Sequence, residues 1–149
     1  MKSKKLICAL LTGALTVCLC VLPAAGAEFT DTVGHSAEAA IDTFASLGIL
    51  QGYGDGTFGP DASITRGDLC TILSRVFTYT DQAENTFTDL DETLWYAKPM
   101  LQLNAAGVIQ GYGDGLIKPL NTITWEEALV MIARAFGVEE NFDAALPYE

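Results

Sequence analysis

The sequence predicts a mainly α-helical fold, built from two helix-loop-helix repeats packed together as part of a helical bundle. Three observations carry this. The segment Gln51-Gly52-Tyr53-Gly54-Asp55-Gly56 returns as Gln110 to Gly115, 59 positions later. Apolar residues flank each copy at helical spacing. In both copies a threonine with an acid three residues on, Thr65 with Asp68 and Thr124 with Glu127, opens the second helical pattern.

The first element is a leader. Lys2, Lys4 and Lys5 precede an apolar run from Leu6 to Leu22, and Ala25-Gly26-Ala27 offers a small-residue cleavage site. Residues 1–27 are therefore expected to be a secretory signal peptide. The run is short for an uncleaved membrane anchor, and no membrane span is expected once it is removed. Cys8, Cys18 and Cys20 leave with it, so Cys70 remains alone and no internal disulfide holds the domain. Cys70 lies in an apolar helical pattern and reads as a small core hydrophobe, against a reactive thiol. Losing the three leader lysines moves the net charge from −11 to −14. Such a surface repels nucleic acid and anionic lipid.

In the first repeat, residues 28–78, Ala37, Ala40, Ile41, Phe44 and Leu47 share one helical face, and Gly48 stands where a left-handed C-terminal cap is wanted. A turn-rich loop runs from Gly52 to Ser63. Thr65 then caps a second helix with the apolar stripe Leu69, Ile72, Leu73 and Val76. Residues 79–86 are a polar linker. In the second repeat, residues 87–137, Met100, Leu103 and Ala106 mark the first helix and Gly107 ends it. Pro99 is tolerated only in a first turn, so this helix starts close to Trp95 or later. Its second helix carries the expected buried stripe Leu129, Ile132, Ala133 and Phe136. Residues 138–149 are a tail or the start of a third unit. Neither repeat alone buries enough to offset its ordering entropy, so the two must pack together.

These residues carry a resemblance. Phe29-Thr30-Asp31, Gly48-Ile49, Gly52 to Gly56, Phe58, Pro60 and Ile64-Thr65-Arg66-Gly67-Asp68 form the first copy of a pattern. The second copy is Phe87-Thr88-Asp89, Trp95, Gly107-Val108, Gly111 to Gly115, Pro119 and Ile123-Thr124-Trp125-Glu126-Glu127. The pattern closely resembles the S-layer homology (SLH) repeat. The resemblance implies repeats that come in threes and close a pseudo-threefold bundle. It also implies a secreted, cell-wall location and non-covalent binding of a secondary cell-wall polysaccharide, often pyruvylated, in grooves between adjacent repeats. It gives roles there to the arginine of the Thr-Arg motif and to the tryptophan near the repeat start. This chain departs from the pattern: Ser36 stands where the first repeat would carry its tryptophan, Trp125 replaces the second arginine, and a complete third repeat is absent. A further repeat in cis, or another chain, is an expected partner.

A pyruvylated sugar presents a carboxylate, hydroxyls and an apolar ring face. A guanidinium pairs with the carboxylate, glycine-loop N–H groups and a helix N-terminus favour an anion, and an indole lies against the ring. Arg66, Gly54, Trp95, Thr65, Asp68, Gly113 and Trp125 are the candidate polymer-binding residues. The expected groove forms at the junction of the repeats, from Arg66, Gly54 and Trp95. On this reading, replacing Arg66 by Ala abolishes polymer binding and leaves thermal stability nearly unchanged. Arg66 could instead pair with a nearby acid, Trp95 could be a core anchor, and Trp125 could be packing or a replacement stacking surface.

Other classes fit less well. The acid pairs Asp89, Asp91, Glu92 and Glu126, Glu127 sit in loops or first helical turns, where they favour the helix dipole, and not at the set separation that acid–base catalysis needs. No catalytic residue, cofactor or metal site is expected. Gly-Tyr-Gly-Asp-Gly supplies one carboxylate per copy, well short of a calcium loop. Degenerate repeats used only for protein–protein assembly remain the main alternative.

Overall fold

A computed structural model describes residues 29–138. The expected leader, 1–27, and nearly all of the tail, 138–149, lie outside the described residues. Four helices follow in order: α1 (Glu38–Ser46), α2 (Arg66–Val76), α3 (Ala97–Ala105) and α4 (Trp125–Ala135). Among the described residues no β-strand forms, and one isolated bridge joins Thr65 to Thr122. The fold is mainly α, as expected. The described residues hold two repeats, so a threefold arrangement lies beyond them. None of these helices is long and apolar enough to cross a membrane.

Local chemistry sets the boundaries. Thr65 and Asp68 form a full capping box, as do Thr124 and Glu127, which satisfies orphan N–H groups at the starts of α2 and α4. α1 and α3 lack a side-chain cap. Both stop at a glycine with positive φ: Gly48 at 72° and Gly107 at 74°. Pro99 falls in the first turn of α3, where its missing N–H costs no helical bond.

The Phe-Thr-Asp starts of the repeats are clasps on the glycine loops. Asp31 accepts from the N–H groups of Phe58 and Gly59 at 2.9 and 2.7 Å. Asp89 does the same for Ile117 and Lys118 at 2.9 and 2.8 Å. Phe29 lies so close over Gly52 that a Cβ there would sit 2.4 Å from its ring, and Phe87 covers Gly111 in the same way. These glycines are needed for close approach.

The core lies between the repeats more than within them. α2 packs mainly on α3 and to a lesser extent on α4. Leu69, Cys70 and Leu73 of α2 meet Met100, Leu101 and Leu103 of α3, with Ile109, Ile117 and Met131 closing the cluster. Two expected stripes are corrected by this arrangement. In α1 only Ile41 is buried, while Ala40, Phe44 and Leu47 are exposed. In α4 Ala128 and Met131 are buried, while Leu129 and Phe136 are exposed. The cause is positional: α2 packs on both α3 and α4, whereas among the described residues α1 packs on no other helix and α4 only lightly on α2. Val76 at the end of α2 is also exposed. Residues 79–86 are laid along α3, with Ala83 N–H donating to Leu101 O at 3.1 Å and Gln102 donating to Tyr79 O at 2.8 Å.

Candidate functional site

The 59-residue offset relates two clefts, one in each repeat. Each lies between the second helix of a repeat and the chain that leads into its glycine loop. In the second repeat the cleft holds about 270 Å³ and is lined by Gln110, Glu127, Met131 and Arg134, with Arg66 of the first repeat as one wall. In the first repeat the matching positions are Gln51, Asp68, Ile72 and Arg75. Here the cleft is larger, about 420 Å³, and its rim carries Tyr53 and Trp95.

Arg66 is the first residue of α2 and only 6% exposed. Its side chain crosses to the second repeat. Nη2 donates to Gln110 O at 2.8 Å, Nη1 lies 3.8 Å from the Met131 sulfur and 4.0 Å from Glu127, and the guanidinium sits 5.1 Å from the centre of the Tyr112 ring. Its Nε is buried without a partner. The backbone follows the same route, with Arg66 N–H donating to Asn121 O and Gly67 N–H to Pro119 O, both at 2.9 Å. Arg66 thus pairs across the junction, and its burial makes it a brace between the repeats. The expectation that it can be removed at little cost in stability does not fit this burial.

Tyr112 links the cluster. Its hydroxyl donates to Glu127, and Lys118 stands 4.2 Å above its ring. Desolvation, with the Glu127 hydrogen bond behind it, pushes the Tyr112 hydroxyl up. The same hydrogen bond holds the Glu127 carboxyl below the usual range, against some desolvation. Lys118 adopts φ 53°, the one positive-φ residue other than glycine among the described residues.

Trp95 does not join Arg66. It is 58% exposed, meets Tyr96 edge-on at 5.2 Å, and lines the larger cleft, so it is not a core anchor. Asp68 lines that cleft too, with one carboxylate oxygen held by the Thr65 N–H and hydroxyl at 2.7 and 2.6 Å. Gly54 and Gly113 are exposed loop residues at φ 85° and 83°, and neither lines a cleft. Trp125 opens α4 with 74% of its surface exposed, so it is not packed within the described residues. The expected set therefore divides: Trp95 and Asp68 share one cleft, Arg66 walls the other, and Trp125 faces outward. Two further cleft residues stand outside the expected set. Arg75 donates to Ile49 O at 3.0 Å and to Gln51 Oε1 at 2.7 Å, and Tyr53 is 69% exposed beside it. The recurrence of Arg75 as Arg134 was the available signal for the first.

Asp55 of the glycine loop accepts from the Thr57 N–H and hydroxyl at 2.9 and 2.6 Å, which holds its carboxyl below the usual range. Among the described residues no group of three or more His, Cys, Asp or Glu side chains converges on a common point. Cys70 is buried and unpaired, and desolvation pushes its thiol up to about 12. That fits the core reading and not a reactive thiol.

Comparison with known proteins agrees with the repeats. The S-layer homology domain profile matches residues 28–70 and 86–129. The chain is 31% identical over 153 aligned residues to the "Surface layer protein" of Brevibacillus choshinensis, covering 97% of this chain and 14% of that protein. It is 29% identical to the "Middle cell wall protein" of Brevibacillus brevis with the same coverage. It is also 29% identical over 122 residues to the "Exoglucanase XynX" of Acetivibrio thermocellus, covering 78% of this chain and 11% of that protein. The chain therefore spans about a seventh or less of these relatives. Its two matched repeats take up more than half of its sequence, and the chain belongs to the S-layer homology domain family.

Proposed function

We propose that this chain anchors a secreted protein to the bacterial cell surface by taking sugars of a secondary cell-wall polysaccharide into the cleft beside Trp95. One observation carries the reading. Trp95 and Tyr53 expose aromatic faces over a cleft of about 420 Å³ whose walls also hold Asp68 and Arg75. Aromatic faces receive the C–H side of a sugar ring, and polar groups at the margin fix its hydroxyls. Arg75 now donates to two neutral oxygens. A pyruvyl carboxylate is a stronger acceptor for the same guanidinium. Arg66 serves this site indirectly, by fixing the second repeat against the first, while Thr65 holds Asp68 and Gly54 and Gly113 shape the loop tips.

Membership of the family and likeness to cell-wall and surface-layer proteins support the surface location and the anchoring role. They also support a module without its own catalysis. The likeness to an exoglucanase is compatible with such a module on an enzyme chain.

Co-sedimentation with purified cell walls tests the proposal. The chain from Glu28 onward is expected to pellet with walls that retain their secondary polymer and to stay soluble with walls stripped of it. Trp95→Ala should lower binding about fivefold or more with helical content unchanged, on the scale of the ~1–3 kcal/mol that stacking of a flat ring on an aromatic side chain carries in nucleic-acid sites. Equal pelleting with stripped walls, or by the variant, refutes the reading.

A further inference from the structure

One substitution between the two glycine loops stands directly against the tyrosine of each. The backbone holds both tyrosines alike: Tyr53 N–H donates to Thr57 O and Tyr112 N–H to Leu116 O, both at 2.9 Å. The turn that follows is alike too. The N–H of Gly59 donates to Asp31 at 2.7 Å, and that of Lys118 to Asp89 at 2.8 Å. Gly59 O accepts from the Ala62 N–H and Lys118 O from the Asn121 N–H. This turn puts both residues in the left-handed region, at φ 73° and 53°. Glycine adopts that conformation freely, whereas a residue with a side chain is strained there. The same turn thus carries a glycine in one repeat and a strained lysine in the other.

The two tyrosine rings lie differently. In the first repeat the ring rests on the bare backbone of Gly59: a Cβ added there would lie 2.9 Å from Tyr53 Cε2 and 3.3 Å from the Tyr53 hydroxyl oxygen. The second repeat has such a Cβ, in Lys118, and a ring placed as Tyr53 is placed would collide with it. The Lys118 ammonium stands 4.2 Å from the centre of the Tyr112 ring, and the Tyr112 hydroxyl donates to Glu127. The corresponding acid of the first repeat, Asp68, is one methylene shorter and gives one carboxylate oxygen to Thr65. Tyr53 is 69% exposed and lines the cleft of about 420 Å³, whereas Tyr112 is 42% exposed and does not line the cleft of about 270 Å³ in its own repeat.

We infer that the residue at this turn is a positioning residue for the cleft. The missing side chain of Gly59 lets Tyr53 lie along the rim as a face for a sugar ring, and Lys118 keeps Tyr112 from the equivalent place and holds it on Glu127. The contact with the Tyr112 ring offsets the strain of Lys118. One position therefore makes the two clefts unequal, and it does so through the tyrosine, without touching the ligand. Its part in binding rests on the polymer reading of the first-repeat cleft. The placement of the two rings does not.

NMR and polymer binding on the chain from Glu28 onward, carrying Gly59→Ala or Lys118→Gly, provide the test. Alanine supplies the Cβ without a charge that would itself attract an anionic polymer. Lys118 shows that the turn accepts a side chain, so helical content should be unchanged. Nuclear Overhauser contacts between the Tyr53 ring and the backbone of residue 59 are expected in the wild-type chain and should be lost in Gly59→Ala. In Lys118→Gly the Tyr112 ring should leave Glu127 and gain contacts to the backbone of residue 118. Binding of isolated secondary cell-wall polymer should weaken about fivefold or more in Gly59→Ala. In a chain that already carries Tyr53→Ala, Gly59→Ala should bring no further loss. A Tyr53 ring that stays in place in Gly59→Ala, a displaced ring with full binding, or a further loss beside Tyr53→Ala overturns the inference. A wild-type chain that does not bind the polymer overturns the function proposed for the cleft and this residue's part in it, while the ring contacts still decide the placement.

Discussion

Replacing Arg66 by alanine should destabilise the fold by about 3 kcal/mol. The guanidinium donates to Gln110 O at 2.8 Å from a side chain that is 8% exposed. A hydrogen bond from a charged group in such a setting contributes ~1.5–3 kcal/mol. The contact over the Tyr112 ring, 5.1 Å from its centre, adds about 0.5–1 kcal/mol. Glu127 at 4.0 Å is partly exposed and adds little, since solvent screens the pair. The orphaned Nε offsets part of the gain. A domain of this size is stable by about 5–15 kcal/mol, so the loss is a large fraction of the whole. Urea unfolding followed by circular dichroism should show a lower midpoint with the slope unchanged. Arg66→Lys keeps the charge but not the fork that reaches Gln110, and should recover less than half of the loss. A shift of under ~0.5 kcal/mol for Arg66→Ala would show that the residue is a surface group with no bracing role.

Three other outcomes follow from the same structure. Gly52→Ala places a Cβ 2.3 Å from Thr57 O and 2.4 Å from the Phe29 ring, so urea unfolding should show a loss of about 2 kcal/mol or more. Cys70 should resist alkylation under native conditions and react fully in denaturant, because its thiol is buried and its pKa raised to about 12. Stability should fall in acid. Backbone hydrogen bonds, the first from Gly59, depress Asp31; Thr57 depresses Asp55, Thr93 depresses Asp91, and Tyr112 depresses Glu127. Their contribution is complete above the ordinary carboxylate range and is lost as pH falls through the depressed values, so urea midpoints should drop below about pH 4.

Much of the fold was legible because the signals are local. Thr65 with Asp68 and Thr124 with Glu127 cap helices through neighbours three residues away. Gly48 and Gly107 end helices by their own backbone conformation. Pro99 placed the start of α3 from its missing N–H alone. The outer faces of α1 and α4 were not legible, because helical spacing identifies an apolar face without saying what covers it. Leu129 and Phe44 repeat residues that are buried elsewhere in the same chain, yet they are exposed. The site divided for a related reason. Which cleft Arg66 enters depends on how repeat two sits on repeat one, 44 residues further along at Gln110, and no local pattern encodes that distance. Trp95 and Asp68 were recognised by type, and their sharing of a cleft emerged only in three dimensions.

The most direct test of the central claim is to titrate the chain with isolated secondary cell-wall polymer and follow the amide and indole resonances by NMR. The largest shifts are expected to cluster at Tyr53, Asp68, Arg75 and the Trp95 indole, with little change around Arg66 and Gln110. Shifts centred on Arg66 and the second-repeat cleft, or none at Trp95 under conditions where the polymer binds, would contradict it.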